Sequence, residues 1–301
     1  GIKDLGTKID LAYFKPPSTR NPELIDLCNN NIFSVTPELV YNEKKDSPDK
    51  KNRIDLVIFL NGLPIITIEL KNPFTGQSAL FDGIKQFRED RSATELLFRF
   101  KKRSLVFLAF DTDEVYMATK LAGDKTYFLP FNKGNKGGKG NPPVENNIKT
   151  HYIWDDILQK DSILDIIKRY YLIEVEEKKV KGILHKKETA IFPRFHQLDV
   201  IRKIEDDVLK NGVGQKYLIQ HSAGSGKTYS ISWLAHRMAN IHIDDKNVFD
   251  SVIVLTDRIL LDKQLQDSIY QIEHKHGVVE KIDKDSNQLA IAIKQGSKII
   301  I

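Results

Sequence analysis

The segment His221-Ser222-Ala223-Gly224-Ser225-Gly226-Lys227-Thr228 limits what this chain can fold into more than any other. An apolar run, Tyr217-Leu218-Ile219, precedes it, and a helix-like stretch from Tyr229 to Met238 follows. Strand, glycine-rich loop and helix in that order make a phosphate-binding loop. Glycines let backbone N–H groups curl around phosphate oxygens, and the start of the helix adds partial positive charge. In this reading Gly224, Ser225 and Gly226 form the cradle. Lys227 reaches the β- and γ-phosphates of ATP, and the Thr228 hydroxyl sits on Mg²⁺. His221 stands where the general pattern has glycine, which leaves the Gly-x-Gly-Lys-Thr core intact. An ordinary glycine-rich turn accounts for less, because motif and context agree.

Around the loop the pattern alternates. Pro193 to Leu209 reads as a helix, Phe249 to Thr256 as a strand, Arg258 to Ile272 as a helix, and Lys298 to Ile301 as the start of a strand. Such βαβα alternation implies a parallel sheet. No apolar run ending in Asp-Glu, the usual Mg²⁺ and water partner of such a loop, follows before Ile301, so a piece of a longer protein is expected. Upstream, Phe192-Pro193-Arg194-Phe195-His196-Gln197 offers a nucleotide-base site. Gln197 can pair with adenine N6 and N7, and Phe195 or the plane of Arg194 can stack on the ring. Thr256-Asp257-Arg258 ends a strand, where open α/β sheets place ligand contacts.

A chain of 301 residues has room for about two domains. The first block carries different signals. Asn21 to Asn29 reads as a short helix. Asp55 to Leu60, Asn61-Gly62 and Leu63 to Leu70 read as a β-hairpin, since Asn-Gly between apolar runs is the strongest short hairpin signal. Ser78 to Arg91 reads as a helix with Leu80, Phe81, Ile84 and Phe87 on one face. Leu105 to Phe110 suits a strand buried on both faces, with Val115-Tyr116-Met117 beside it. Lys133 to Pro143 reads as a flexible basic loop, more a solvated excursion than a nucleic-acid contact. Trp154 to Tyr171 looks helical, and the charge-dense stretch from Glu174 to Lys187 suggests a linker.

The hairpin holds a second constellation. Asp55 opens its first strand; Glu69 and Lys71 close its second and share a face. Two carboxylates can hold Mg²⁺ through oxygen. The metal can polarise a phosphodiester and acidify a bound water. A lysine beside them can orient that water or balance developing charge. Strand-edge charge is the competing explanation, and three charged residues in a chain that is 29% charged do not exclude it.

Composition sets outer limits. Net charge is only +5, so nucleic-acid binding is neither required nor excluded. The one cysteine, Cys28, allows no intramolecular disulfide and suits a reducing compartment. No run approaches the ~18 apolar residues of a membrane span, and no signal leader is recognisable. A soluble, cytoplasmic protein with no membrane partner is expected.

Asn52 to Pro64, then Ile68-Glu69-Leu70-Lys71-Asn72-Pro73, resembles the nuclease core of type I restriction enzyme R (motor) subunits. Phe195-His196-Gln197, Gln220 to Thr228 and Val254 to Arg258 resemble the superfamily 2 helicase motifs of the same subunits. The resemblance covers nearly the whole chain in the same order. It implies an α/β protein: a PD-(D/E)xK-type nuclease domain over 1–175, a charged linker over 176–190, and a truncated first RecA-like domain over 191–301. It also implies catalytic Asp55, Glu69 and Lys71, with metal at Asp55 and Glu69. Duplex DNA would be the substrate, and modification (methyltransferase) and specificity subunits the partners. Many R subunits carry Gln-x-x-x-Tyr after the nuclease lysine; here Gly83 and Phe87 occupy those positions, with Gln77 and Gln86 as nearby substitutes. Two other functions stay open: a superfamily 2 translocase with a degenerate nuclease fold, and a non-catalytic DNA-binding or scaffold module.

Overall fold

Asn61 and Gly62 both adopt positive φ, 48° and 79°, as a type I′ hairpin turn requires. The computed structural model containing this turn describes residues 2–4, 7–17, 19–43, 51–180, 183–256, 259–272, 279–283 and 285–301. Two units emerge: Gly1–Lys15 with Glu23–Phe195, and Pro16–Pro22 with His196–Ile301. Among the described residues no helix is long and apolar enough to cross a membrane.

In the first unit, β1 (Ile2–Asp4) pairs with β2 (Thr7–Ile9), and α1 spans Pro22–Asn29. A six-stranded sheet follows, in the order β3 (Phe33–Glu43), β4 (Lys51–Leu60), β5 (Leu63–Leu70), β6 (Val106–Phe110), β7 (Val115–Ala118) and β8 (Leu129–Pro130). The sheet mixes directions, because β5 and β6 run parallel and the other pairs antiparallel. A parallel neighbour needs a crossover, and residues 71–105 supply it. As its all-apolar run predicts, β6 is buried throughout. Phe107 and Ala109 join the cluster around Phe87 on one side. Val106 and Leu108 face Ile157, Ile163 and Ile166 on the other.

The crossover helix departs from expectation. Ser78 caps it, its Oγ accepting from the Phe81 N–H, but Ala79–Gly83 forms a π turn before α2 (Ile84–Glu89). The wider turn shifts the apolar stripe by one residue. Ala79, Gly83, Ile84 and Phe87 face the core, while Leu80 and Phe81 are 40% and 73% exposed. Phe87 meets the Phe107 ring edge-on at 5.8 Å. Phe87→Ala should destabilise the first unit by about 3–5 kcal/mol, read as a lower denaturant midpoint for that unit. A midpoint unchanged from wild type would contradict this packing.

Three further expectations need correction. Trp154 to Tyr171 is not one helix. Extended Gln159 separates a π turn at Ile153–Ile157 from α3 (Lys160–Asp165), which runs on directly into a second π turn at Ile166–Tyr170. The glycine-rich loop from Lys133 is irregular but bonded across itself: Gly134 N–H donates to Gly140 O, and Asn135 and Gly138 exchange backbone bonds. Buried Asn141 closes it, donating to Asp113 O and accepting from Lys133 N–H. The charged stretch expected as a linker is an antiparallel hairpin, β9 (Leu172–Val180) with β10 (Ile183–Ile191). Its charge density has a cross-strand logic, since Glu177 lies opposite Lys186 at 3.8 Å. It belongs to the first unit, where Thr119 Oγ1 donates to Ala190 O and Lys101 pairs with Glu188.

The second unit contains α4 (Phe195–Asn211, past its first residue), α5 (Lys227–Ala239) and the short pair β11 (His242–Ile243) and β12 (Lys246–Asn247). Then come β13 (Val252–Ile253), α6 (Ile259–Ile272), β14 (Val279–Glu280), α7 (Ser286–Lys294) and β15 (Ile299–Ile300). The sheet order is β13-β15-β14, all parallel, as the alternation predicts. Ala235 and Ala239 of α5, Leu265 and Ile269 of α6, and Ile299 form its core. Two strands fall short of expectation. Tyr217-Leu218-Ile219 belongs to no strand, and Leu218 is 96% exposed. Phe249 to Thr256 narrows to Val252–Ile253. Apolar periodicity marks where a strand can form, but a strand exists only where a neighbour completes its hydrogen bonds. Asp257 and Arg258 lie outside the described residues.

Candidate functional site

β4 and β5 pair antiparallel through Leu56 and Ile68, which sets Asp55 across from Glu69. Lys71 continues the line, its N–H donating to Phe110 O at the end of β6. The Lys71 ammonium lies 3.8 Å from Glu69 Oε2 and 4.0 Å from Asp55 Oδ2. Asp55 Oδ2 also accepts from the Leu70 N–H at 2.7 Å. The three residues expected from the sequence therefore converge. Burial is graded: Glu69 is fully buried, Lys71 nearly so, and Asp55 reaches solvent. Burial pushes the Glu69 carboxyl up to about 7; Arg91 pulls it down and Asp55 pushes it further up. Glu69 Oε2 has no hydrogen bond. Among the described residues no three His, Cys, Asp or Glu side chains gather as a metal cluster; Asp55 and Glu69 are a pair.

Two neighbours complete the constellation. Gln86 Oε1 accepts from Lys71 Nζ at 2.5 Å. An ideal Cβ on Gly83 would lie 3.0 Å from Ala109 Cβ and 3.5 Å from Lys71 Cγ, so the backbone here packs too closely for a long side chain. Phe87 is core. Of the two substitutes for the Gln-x-x-x-Tyr glutamine, Gln86 makes the contact and Gln77 is exposed. The second neighbour is Arg91, whose Nε and Nη2 both donate to Glu69 Oε1, at 2.8 and 2.5 Å. Sequence reasoning missed it, because an arginine ending a charged helix carries no distinguishing pattern.

In the second unit, Gly224 and Gly226 take φ of 72° and 81°, the left-handed conformation a phosphate loop needs. Gly226 starts α5. Lys227 Nζ donates to the carbonyls of His221 and Ser222, at 3.1 and 2.9 Å. Ser225 Oγ is buried with no hydrogen-bond partner. Thr228 is half-buried in the first turn of α5. The first turn of α4 grips the loop: Gln197 Nε2 donates to Gly226 O at 2.9 Å, and the His196 ring lies 3.1 Å from Ser225 O. A Cβ at Gly226 would come within 2.5 Å of Gln197 Nε2. Gln197, expected at adenine, is buried against the loop backbone. Phe195, expected to stack on a base, is buried in the first unit, edge-on to Tyr152 at 5.1 Å and to Phe131 at 5.9 Å. Arg194 is half-buried. His221 meets His196 edge-on at 4.7 Å; burial and nearby Lys227 hold its imidazole below the usual range.

Residues 6–126 match the family described as type I restriction enzyme R protein N terminus. Residues 196–301 match the SWI2/SNF2 ATPase family. The chain is 26% identical to a Methanocaldococcus jannaschii protein assigned as the MjaVIIIP type I restriction enzyme endonuclease subunit, over 90% of this chain and 26% of that protein. It is 27% identical to the MjaVIIP counterpart from the same organism, over 93% and 25%. Identity to the type I restriction enzyme HindI endonuclease subunit of Haemophilus influenzae is 25%, over 78% and 21%. The chain thus spans about a quarter of the length of these relatives.

Proposed function

Because this chain is an R-subunit-type protein of the type I restriction enzymes, we propose that its first unit is a PD-(D/E)xK-type endonuclease domain and its second the nucleotide-binding part of a RecA-like DNA motor. The full protein would translocate duplex DNA with ATP and cut unmodified DNA with Mg²⁺, alongside methyltransferase and specificity subunits in the cytoplasm. The observation that carries this reading is the convergence of Asp55, Glu69 and Lys71 at one end of a strand pair.

The residues fit a hard cation, which takes oxygen ligands. Glu69 offers a buried oxygen with no hydrogen bond, and Asp55 stands beside it at the solvent edge. Bound there, Mg²⁺ would polarise the phosphodiester and lower the pKa of a water. Asp55 and Glu69 hold the charge that attracts it. Lys71, fixed by Gln86, orients the attacking water or balances charge developing on the phosphate. Burial of Glu69 keeps competing water from that side. The contact from Gln86 also argues against a degenerate nuclease, since the lysine is held despite Gly83.

In the glycine-rich loop, Lys227, now bonded to the carbonyls of His221 and Ser222, would hold the β- and γ-phosphates, and the Thr228 hydroxyl would hold the nucleotide's Mg²⁺. Gln197 braces the loop from α4. Duplex cleavage by the full-length protein with its partner subunits tests the whole. Cutting should need both ATP and Mg²⁺ and stop on adding EDTA. Cutting that survives chelation rules out metal-dependent hydrolysis.

A further inference from the structure

Glu69 is fully buried, and an unpaired carboxylate in such a place is costly. Arg91 compensates it in an unusual way. An arginine fork commonly spans both oxygens of a carboxylate, one N–H to each. Here Nε and Nη2 both donate to Oε1. Oε2 is left bare, 3.8 Å from the Lys71 ammonium, which also lies 4.0 Å from Asp55 Oδ2. Arg91 is itself held: Nη1 donates to the Tyr41 hydroxyl at 3.2 Å, and the guanidinium lies 5.7 Å from the Tyr41 ring centroid. Tyr41 in turn packs edge-on against Phe98 at 4.8 Å. A purely structural ion pair would gain more from both carboxylate oxygens than from one.

We propose that Arg91 is the positioning residue of the nuclease site: it pins Glu69 by one oxygen so that the other is presented to the metal. This inference rests on the nuclease reading of Asp55, Glu69 and Lys71. The short segment 84–91 then holds two of those groups at once, Lys71 through Gln86 and Glu69 through Arg91. Tyr41, on β3 and so two strands from Glu69 in the sheet, braces Arg91 in that alignment.

The test uses the full-length protein without nucleotide, with Mn²⁺ binding read by electron paramagnetic resonance and the Mg²⁺ dependence of cleavage read separately. Loss of a partner that orients a metal ligand costs about 10–100-fold in metal affinity. Arg91→Gln should therefore weaken Mn²⁺ binding by at least about tenfold. The Mg²⁺ concentration for half-maximal cleavage should rise in step, while the rate at saturating Mg²⁺ changes less. Arg91→Lys, which keeps the charge but loses the fork, should recover part of the affinity. Tyr41→Phe removes only the brace and should shift affinity modestly in the same direction. Folded Arg91→Gln with wild-type Mn²⁺ affinity overturns the proposal. Should Arg91→Gln fail to fold, wild-type affinity in both Arg91→Lys and Tyr41→Phe overturns it equally. Asp55→Ala separates the two readings: if Mn²⁺ binding to wild type does not depend on Asp55, the metal site itself is misassigned, and the role of Arg91 falls with it.

Discussion

Asp55→Ala in the full-length protein should abolish DNA cleavage while ATP hydrolysis continues. Of the two carboxylates, Asp55 alone reaches solvent, so a metal enters past it. Losing it leaves Glu69 as the remaining acidic ligand. Metal chemistry contributes several kcal/mol to phosphodiester hydrolysis. A loss of about 4 kcal/mol is about a thousandfold in rate. The alanine also removes the acceptor for the Leu70 N–H, so a structural fault could mimic the effect. Asp55→Asn separates the two, because its amide oxygen can still accept that bond while the charge is gone. Both variants should be inactive as nucleases. Wild-type cutting by Asp55→Asn would end the nuclease assignment; loss in Asp55→Ala alone would mean the residue only supports β5.

Lys227→Ala should stop ATP turnover, and with it any cutting that depends on translocation. Lys227 is the only charged side chain between His221 and Thr228. Its ammonium bonds the carbonyls of His221 and Ser222 and so points back into the loop rather than away from it. Charge on the transferred phosphoryl group is balanced chiefly by such groups and by Mg²⁺. The expected fall in DNA-stimulated phosphate release is at least about a hundredfold, nearly 3 kcal/mol. Nucleotide binding should weaken less, because the backbone N–H groups of the loop remain. Undiminished phosphate release by the variant would remove the motor assignment.

The two candidate sites were legible to different depths. Asn61-Gly62 specifies its own turn, because few residues tolerate φ of 48° and 79° in succession; a one-residue bulge beyond it, between Ile58 and Phe59, shifts the register so that Asp55 faces Glu69 rather than Ile68. The glycine-rich loop is more local still: glycines at 224 and 226 and a lysine starting a helix are close in sequence and in space. The parallel arrangement of β13, β15 and β14 follows from alternation. The helix from Ser78 was visible, but its phase was not, since a π turn inserts one residue without changing the composition. The apolar run at Tyr217 to Ile219 misled for the opposite reason: it has the pattern of a strand without a partner strand.

By itself, the amino-acid sequence singled out the candidate groups: Asp55, Glu69, Lys71 and the glycine-rich loop ending in Thr228. The loop is set by backbone geometry over a few residues, whereas Asp55 meets Glu69 only through the bulge in the hairpin. Only the tertiary structure decided how those groups are held. Arg91 reaches Glu69 across the crossover, Gln86 takes the place at Lys71 that Gly83 cannot fill, and Gln197 lies on the loop backbone. These contacts join residues far apart in the chain, and their hydrogen bonds depend on packing that leaves no local periodicity to read.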